Sequence, residues 1–177
     1  MALLRGINVG GRRPVAGTDL VDLLAHLGLS EARSILQSGN LVFRSGSRAN
    51  ARLERLLESG ARSRLGLETD FFVRSAEEWD AIVAGNPFPR QAESDPGRLV
   101  LVLLEEAPVA GRVAALQAAI AGPEVVRPGE RHAYVSYPDG QGRSRLTNAL
   151  VERVLGSRAT SRNWNTVRKI HEVASAR

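Results

Sequence analysis

The stretch Arg5-Gly6-Ile7-Asn8-Val9-Gly10-Gly11 couples a guanidinium to a glycine-rich turn. That combination can hold an anion through backbone N–H groups and a planar fork of donors. Its spacing matches neither G-x-x-x-x-G-K-[ST] nor G-x-G-x-x-G, so neither standard nucleotide fingerprint applies. The next helix is expected only from about Thr18, too far along to lend its N-terminus to the turn. Arg5 is the sharper feature. It shares a strand face with Leu3 and Ile7, and a charge on an apolar face must find a partner. Two partners are open: an internal carboxylate, or the anionic group of a ligand whose geometry suits the guanidinium fork.

Three further polar segments carry the same ambiguity. Gln37-Ser38-Gly39-Asn40 reads as a hairpin turn, with Gly and Asn at positive-φ positions. A turn does not require Gln37, whose amide is free to face the same end as Asn8. Asp139 to Ser144 joins an Asp-Gly turn to Gly-Arg-Ser, with Ser144 suited to N-cap the following helix. The alternative places Arg143 and that helix N-terminus together as an anion site. Asn163-Trp164-Asn165-Thr166 opens the last helix, and Lys169 follows Asn165 by about one turn. Asn163 is an ordinary N-cap and Trp164 a candidate core plug whose indole N–H needs a partner. The same residues would also suit a polar ligand, with Trp164 as its stacking surface.

General acid–base and metal chemistry are poorly supplied. His26, His132 and His171 have no Ser or Asp partner visible in sequence, and no H-E-x-x-H spacing exists. No carboxylate pair and no cluster of His and acids marks a metal site. The chain has no cysteine, which excludes disulfides, thiol catalysis and thiolate metal ligands. No catalytic residue, cofactor or metal is therefore assigned. An enzyme acting on a phosphorylated ligand or nucleotide would need a carboxylate and a borrowed metal, and Asp139 is the best candidate. A nucleic-acid module is a weaker alternative. Ala133-Tyr134-Val135-Ser136-Tyr137 partly matches an RNA-binding strand, and His132 and Tyr134 would share a face to stack bases. Against it, the neighbouring strand from Arg98 to Leu104 offers no aromatic, and aromatic residues make up 5% of the chain.

Composition fits a soluble globular protein, with 43% hydrophobic and 24% charged residues among 177. No apolar run is long enough for a membrane-spanning helix, and the start lacks the pattern of a signal peptide, so a cytoplasmic location is expected. The net charge of +5 comes from 24 basic and 19 acidic residues, and Lys169 is the only lysine. The arginines are scattered rather than clustered, which is not the footprint of a nucleic-acid surface.

The elements that must position these residues follow one plan twice. Leu20, Leu23, Leu24 and Leu27 fall at i, i+3, i+4 and i+7, the spacing of an amphipathic helix from Thr18 to a stop at Gly28. Short strands flank it, and a second helix runs from about Ala49 to Leu65. A fourth strand follows near Thr69–Arg74, and Ser75 caps a short helix through Trp79 and Ile82. After the Pro-rich stretch from Asn86 the order repeats: strand Arg98–Leu104, a helix with Val109, Val113, Leu116 and Ile120, a hairpin about Pro128-Gly129, a helix from about Ser144, a short strand and a closing helix. Each half, 1–90 and 98–177, reads βαββαβ plus a helix. This predicts an α+β fold of two ferredoxin-like halves packed as one unit. In that topology the first β–α loop and the first hairpin share one end of the sheet, which brings Asn8 beside Gln37 and Asn40.

RGINVGG, Leu36-Gln37-Ser38-Gly39-Asn40, Tyr137-Pro138-Asp139-Gly140 with Gly142-Arg143-Ser144, and Ser161-Arg162-Asn163-Trp164-Asn165-Thr166 together resemble the bacterial family called domain of unknown function 1697. The resemblance runs from about residue 2 to about 174, and it implies an α+β fold with no settled activity. The functional expectation is a ligand-binding protein for an anionic, phosphate-bearing small molecule in a cleft between the halves. Arg5, Arg143 and Lys169 would supply charge. Asn8, Gln37, Asn40, Asn163 and Asn165 would orient the ligand, Trp164 would stack on it, and Asp139 is a further candidate for the binding site. A protein–protein module presenting an open sheet face is a further alternative.

Overall fold

A computed structural model describes residues 1–6 and 15–176. Asn8 and the Gly10-Gly11 pair lie outside them. The chain divides into two compact units, Met1–Asp80 with Lys169–Arg177, and Ala81–Arg168.

The first unit contains β1 (Ala2–Leu4), α1 (Gly17–His26), β2 (Ser30–Ile35), β3 (Asn40–Arg44), α2 (Asn50–Leu65) and β4 (Phe71–Val73), and α3 (Ala76–Ala84) begins in it. The sheet order is β2-β3-β1-β4, with antiparallel neighbours throughout. This is the order a split βαβ unit produces, as expected. Strand alternation sends Ala2 and Leu4 into a cluster with Leu20, Leu23 and Leu24 of α1 and Leu53 and Leu57 of α2. Leu3 and Phe72 face the other way and are buried as well.

The second unit repeats the plan. It holds α4 (Pro89–Ser94), a 3-10 turn at Pro96–Arg98, β5 (Leu99–Leu104), α5 (Arg112–Ala119), β6 (Val125–Pro128), β7 (His132–Ser136), α6 (Asn148–Leu155) and β8 (Ala159–Asn163); α7 (Trp164–Ser175) starts here. The sheet order is β6-β7-β5-β8, again antiparallel. Every residue of β5 is buried, which explains why Leu99–Leu104 is apolar at each position rather than alternating. Both sheets therefore have two buried faces at their centres. Among the described residues the exposed large hydrophobics are Leu36 and Val109.

Several local expectations shift. The two compact units meet along the chain at Asp80 and again at Arg168. The end of α7 belongs with the first unit, where His171 Nε2 lies 2.9 Å from Asp80 Oδ1. α1 begins at Gly17 without a side-chain cap, so Thr18 does not cap it. α6 begins three residues later than expected: Thr147, not Ser144, is the N-cap and accepts from Leu150 N at 3.2 Å. Val109 precedes α5 and is 72% exposed, so it takes no part in that helix's buried stripe. The short α4 was not foreseen because its start is a Pro-rich run, although proline is well suited to a helix's first turn.

Ser75 does cap α3, as expected, and as a reciprocal pair. Its Oγ accepts from Glu78 N at 3.1 Å, and Glu78 Oε2 accepts from Ser75 N at 2.7 Å. Ser75→Ala is expected to lower stability by about 1 kcal/mol, and Ser75→Gly by only a few tenths. Urea denaturation of the two variants side by side checks this, and equal losses would show that the cap is not the cause.

Candidate functional site

In the first unit Arg5 follows β1, and the antiparallel pairing of β1 with β4 sets it across from Asp70. Arg5 Nη1 donates to Asp70 Oδ2 at 3.1 Å, and Arg5 N donates to Asp70 O at the same distance. Of the two partners open in the sequence, an internal carboxylate engages the guanidinium. Asn40 is fully buried, and its Nδ2 donates to Ile35 O at 3.0 Å and to Ser38 Oγ at 2.9 Å. Its amide braces the hairpin from within, so it does not project toward a ligand. The positive-φ positions are Leu36 at +58° and Gly39 at +68°; Asn40 is not one of them. Gln37 is exposed and lines a cavity of 740 Å³ with Leu36, Val15 and Leu20.

In the second unit Trp164 is 3% exposed, with its ring 6.2 Å from that of Tyr134. Tyr134 is buried too: its hydroxyl donates to Ile82 O at 2.8 Å and lies 3.0 Å from His132 Nε2. Neither the expected stacking surface at Trp164 nor an aromatic platform on β7 is open to a base or a ligand. Burial raises the Tyr134 hydroxyl to about 12. Asn163 Oδ1 accepts from Thr166 N and Thr166 Oγ1, both at 3.0 Å, so Asn163 is the cap of α7. Asn165 is exposed; Lys169, in the part of α7 that belongs to the first unit, is exposed as well and pairs with Glu172 at 3.0 Å. The sequence alone points to no role for Arg162. Its Nη1 donates to Thr160 Oγ1 at 2.9 Å and Ser161 O at 2.8 Å, and burial pulls it down to about 10, still charged at neutral pH.

The residues that do converge are on the segment from Asp139 to Leu146. Asp139, Arg143 and Arg145 line a cavity of 590 Å³ with Ile120, Leu146 and Leu150. Glu124, only 6% exposed, forms one wall, and Ser144 Oγ donates to Glu124 Oε1. The same hydroxyl accepts from Leu146 N at 2.9 Å, which explains why Ser144 is unavailable as a helix cap. Tyr137 Oη donates to Leu146 O at 3.2 Å from beneath. The Glu124 carboxylate lies against Gly122, so a side chain there would displace it from its present position in the wall. The loop is thus braced at Ser144 and Leu146, while the side chains of Asp139, Arg143 and Arg145 make no hydrogen bond or ion pair with any described residue. Arg145 had no signal in the sequence beyond its place two residues after Arg143. Among the described residues no group of three or more His, Cys, Asp or Glu could hold a metal ion.

Two like-built α+β units, each a four-stranded antiparallel sheet of split βαβ order, define the class. Residues 1–134 match the model of the family described as protein of unknown function (DUF1697), and the chain belongs to that family. The matched residues end within β7, ahead of the Asp139–Leu146 segment. The solved structure of the conserved bacterial protein SP0830 from Streptococcus pneumoniae is similar over 98% of this chain and 96% of that one, with a TM-score of 0.77 and 25% identity. No curated protein matches the chain. Among the described residues no helix is long and apolar enough to cross a membrane.

Proposed function

We propose that the protein binds an anionic, phosphate-bearing small molecule in the cavity of the second unit, through Arg143 and Arg145. One observation carries the reading: two guanidiniums line one cavity, and no described carboxylate pairs with either. A guanidinium presents a planar fork that matches phosphate oxygens, and an unpaired one keeps all its donors for a ligand. The volume of 590 Å³ lies within the range of small-molecule sites, and Ile120, Leu146 and Leu150 offer an apolar wall for the ligand's body. The bonds of Ser144 and Tyr137 hold the loop before any ligand arrives, which lowers the ordering cost of binding. Of the residues expected from sequence, this site uses Asp139 and Arg143, and it adds Arg145.

The test is an amide NMR titration with ethyl phosphate. Shifts should localise to residues 139–146, and the double variant Arg143→Ser/Arg145→Ser should bind at least about tenfold more weakly, since a hydrogen bond to a charged group contributes roughly 1.5–3 kcal/mol. An absence of shifts at the probe's solubility limit removes the proposal.

A further inference from the structure

Resting on that reading, we infer that the ligand is amphoteric: a phosphate engages Arg143 and Arg145 while an amine on the same molecule engages Asp139. The inference comes from charges that share a cavity without neutralising each other. Asp139 stands four residues before Arg143 on the same loop, yet no ion pair joins it to Arg143 or Arg145. Its carboxylate is exposed to the cavity with all its acceptor capacity open.

Two further features add negative potential beside it. The end of α5 borders the cavity through Ala119 and Ile120, and a helix C-terminus carries partial negative charge. No basic residue in the last turn of α5 offsets that end. Glu124 supplies a second carboxylate in the wall. Its field reaches the Tyr137 hydroxyl, which burial first and Glu124 second raise to about 12. Glu124 is 6% exposed and its Oε1 already accepts from Ser144, so it acts chiefly through its field, and the exposed Asp139 is the carboxylate placed to meet the ligand.

A ligand that is only an anion would gain from the arginines and be repelled by Asp139, Glu124 and the end of α5. A ligand that is only a cation would face the reverse. A molecule bearing both charges satisfies each, because like charges brought together disfavour binding as strongly as opposite ones favour it. The class is therefore an aminoalkyl phosphate or a related amino-phosphate.

O-phosphoethanolamine and ethyl phosphate differ chiefly by the ammonium and serve as the probe pair, titrated into the full chain by NMR. The expected result is that O-phosphoethanolamine binds about tenfold more tightly. Asp139→Asn should bring its affinity down to that of ethyl phosphate, while ethyl phosphate gains slightly because a like charge has gone. Equal binding of the two probes to the wild-type chain overturns the inference and leaves the anion reading standing. A preference that survives Asp139→Asn also overturns the assignment of Asp139. Binding of neither probe removes both the anion reading and the inference built on it.

Discussion

Trp164→Ala is expected to lower stability by about 3–5 kcal/mol, and Trp164→Phe by clearly less. The side chain is 3% exposed and packs against Tyr134, whose own hydroxyl is fixed to Ile82 O. Removing the indole leaves a cavity that the Tyr134 ring cannot fill, because its hydrogen bond and the edge-on contact with His132 hold it in place. Phenylalanine restores most of the apolar contact. The measurement is urea denaturation followed by circular dichroism, paired with the ethyl phosphate titration. A ligand-stacking Trp164 would give the opposite pattern, with stability nearly unchanged and affinity lost. Finding that pattern would return Trp164 to the binding site and remove it from the core.

The two roles of Trp164 look the same in sequence because residue type is the same for a core plug and a stacking surface. Burial decides between them, and burial is a property of the assembled sheet. The helices and strands themselves were legible for a physical reason. Leu20, Leu23 and Leu24 must share a face of α1, and the apolar run Leu99–Leu104 must be covered on both sides. The strand order then follows from two βαβ crossovers of one hand. Side-chain hydrogen bonding was not legible. Asn40 looked like a ligand amide because its partner Ile35 O faces it only once the hairpin closes. Ser144 and Thr147 are both good N-caps, and the choice was made by Glu124, twenty residues upstream. The sequence marks Arg5 as a charge in need of a partner but not which one, since Asp70 is brought near only by β1–β4 pairing. Arg145 became visible only as part of a cavity wall. Charged side chains on loops carry no periodic signal, so a site built from them shows itself through what remains unpaired after folding.

The second large effect lies at alkaline pH and concerns Tyr137. Its hydroxyl is buried beneath the Asp139–Leu146 loop, and burial, reinforced by the Glu124 carboxylate, raises it from 10.0 to about 12. The neutral phenol is therefore favoured in the folded chain. Below pH 10 the unfolded chain is also protonated, and the contribution of Tyr137 is fully present. Between 10 and 12 the unfolded chain releases its proton while the folded chain keeps it, so stability falls as pH rises. A shift of this size corresponds to roughly 2–3 kcal/mol over that window. Tyr137→Phe cannot titrate and also lacks the hydrogen bond to Leu146 O, which costs it about 1 kcal/mol at neutral pH. The wild-type chain should thus be the more stable of the two at pH 8 and the less stable by pH 12, with the curves crossing between. Tyr134 and Arg162 titrate in the same range, but both are present in either chain and cancel in the difference. Chemical denaturation of the two proteins at half-unit pH steps makes the comparison. Parallel curves would mean that the Tyr137 proton is held no more tightly in the folded chain than in the unfolded one, and that the loop carrying Arg143 and Arg145 is less firmly seated on Tyr137 than the 3.2 Å bond implies.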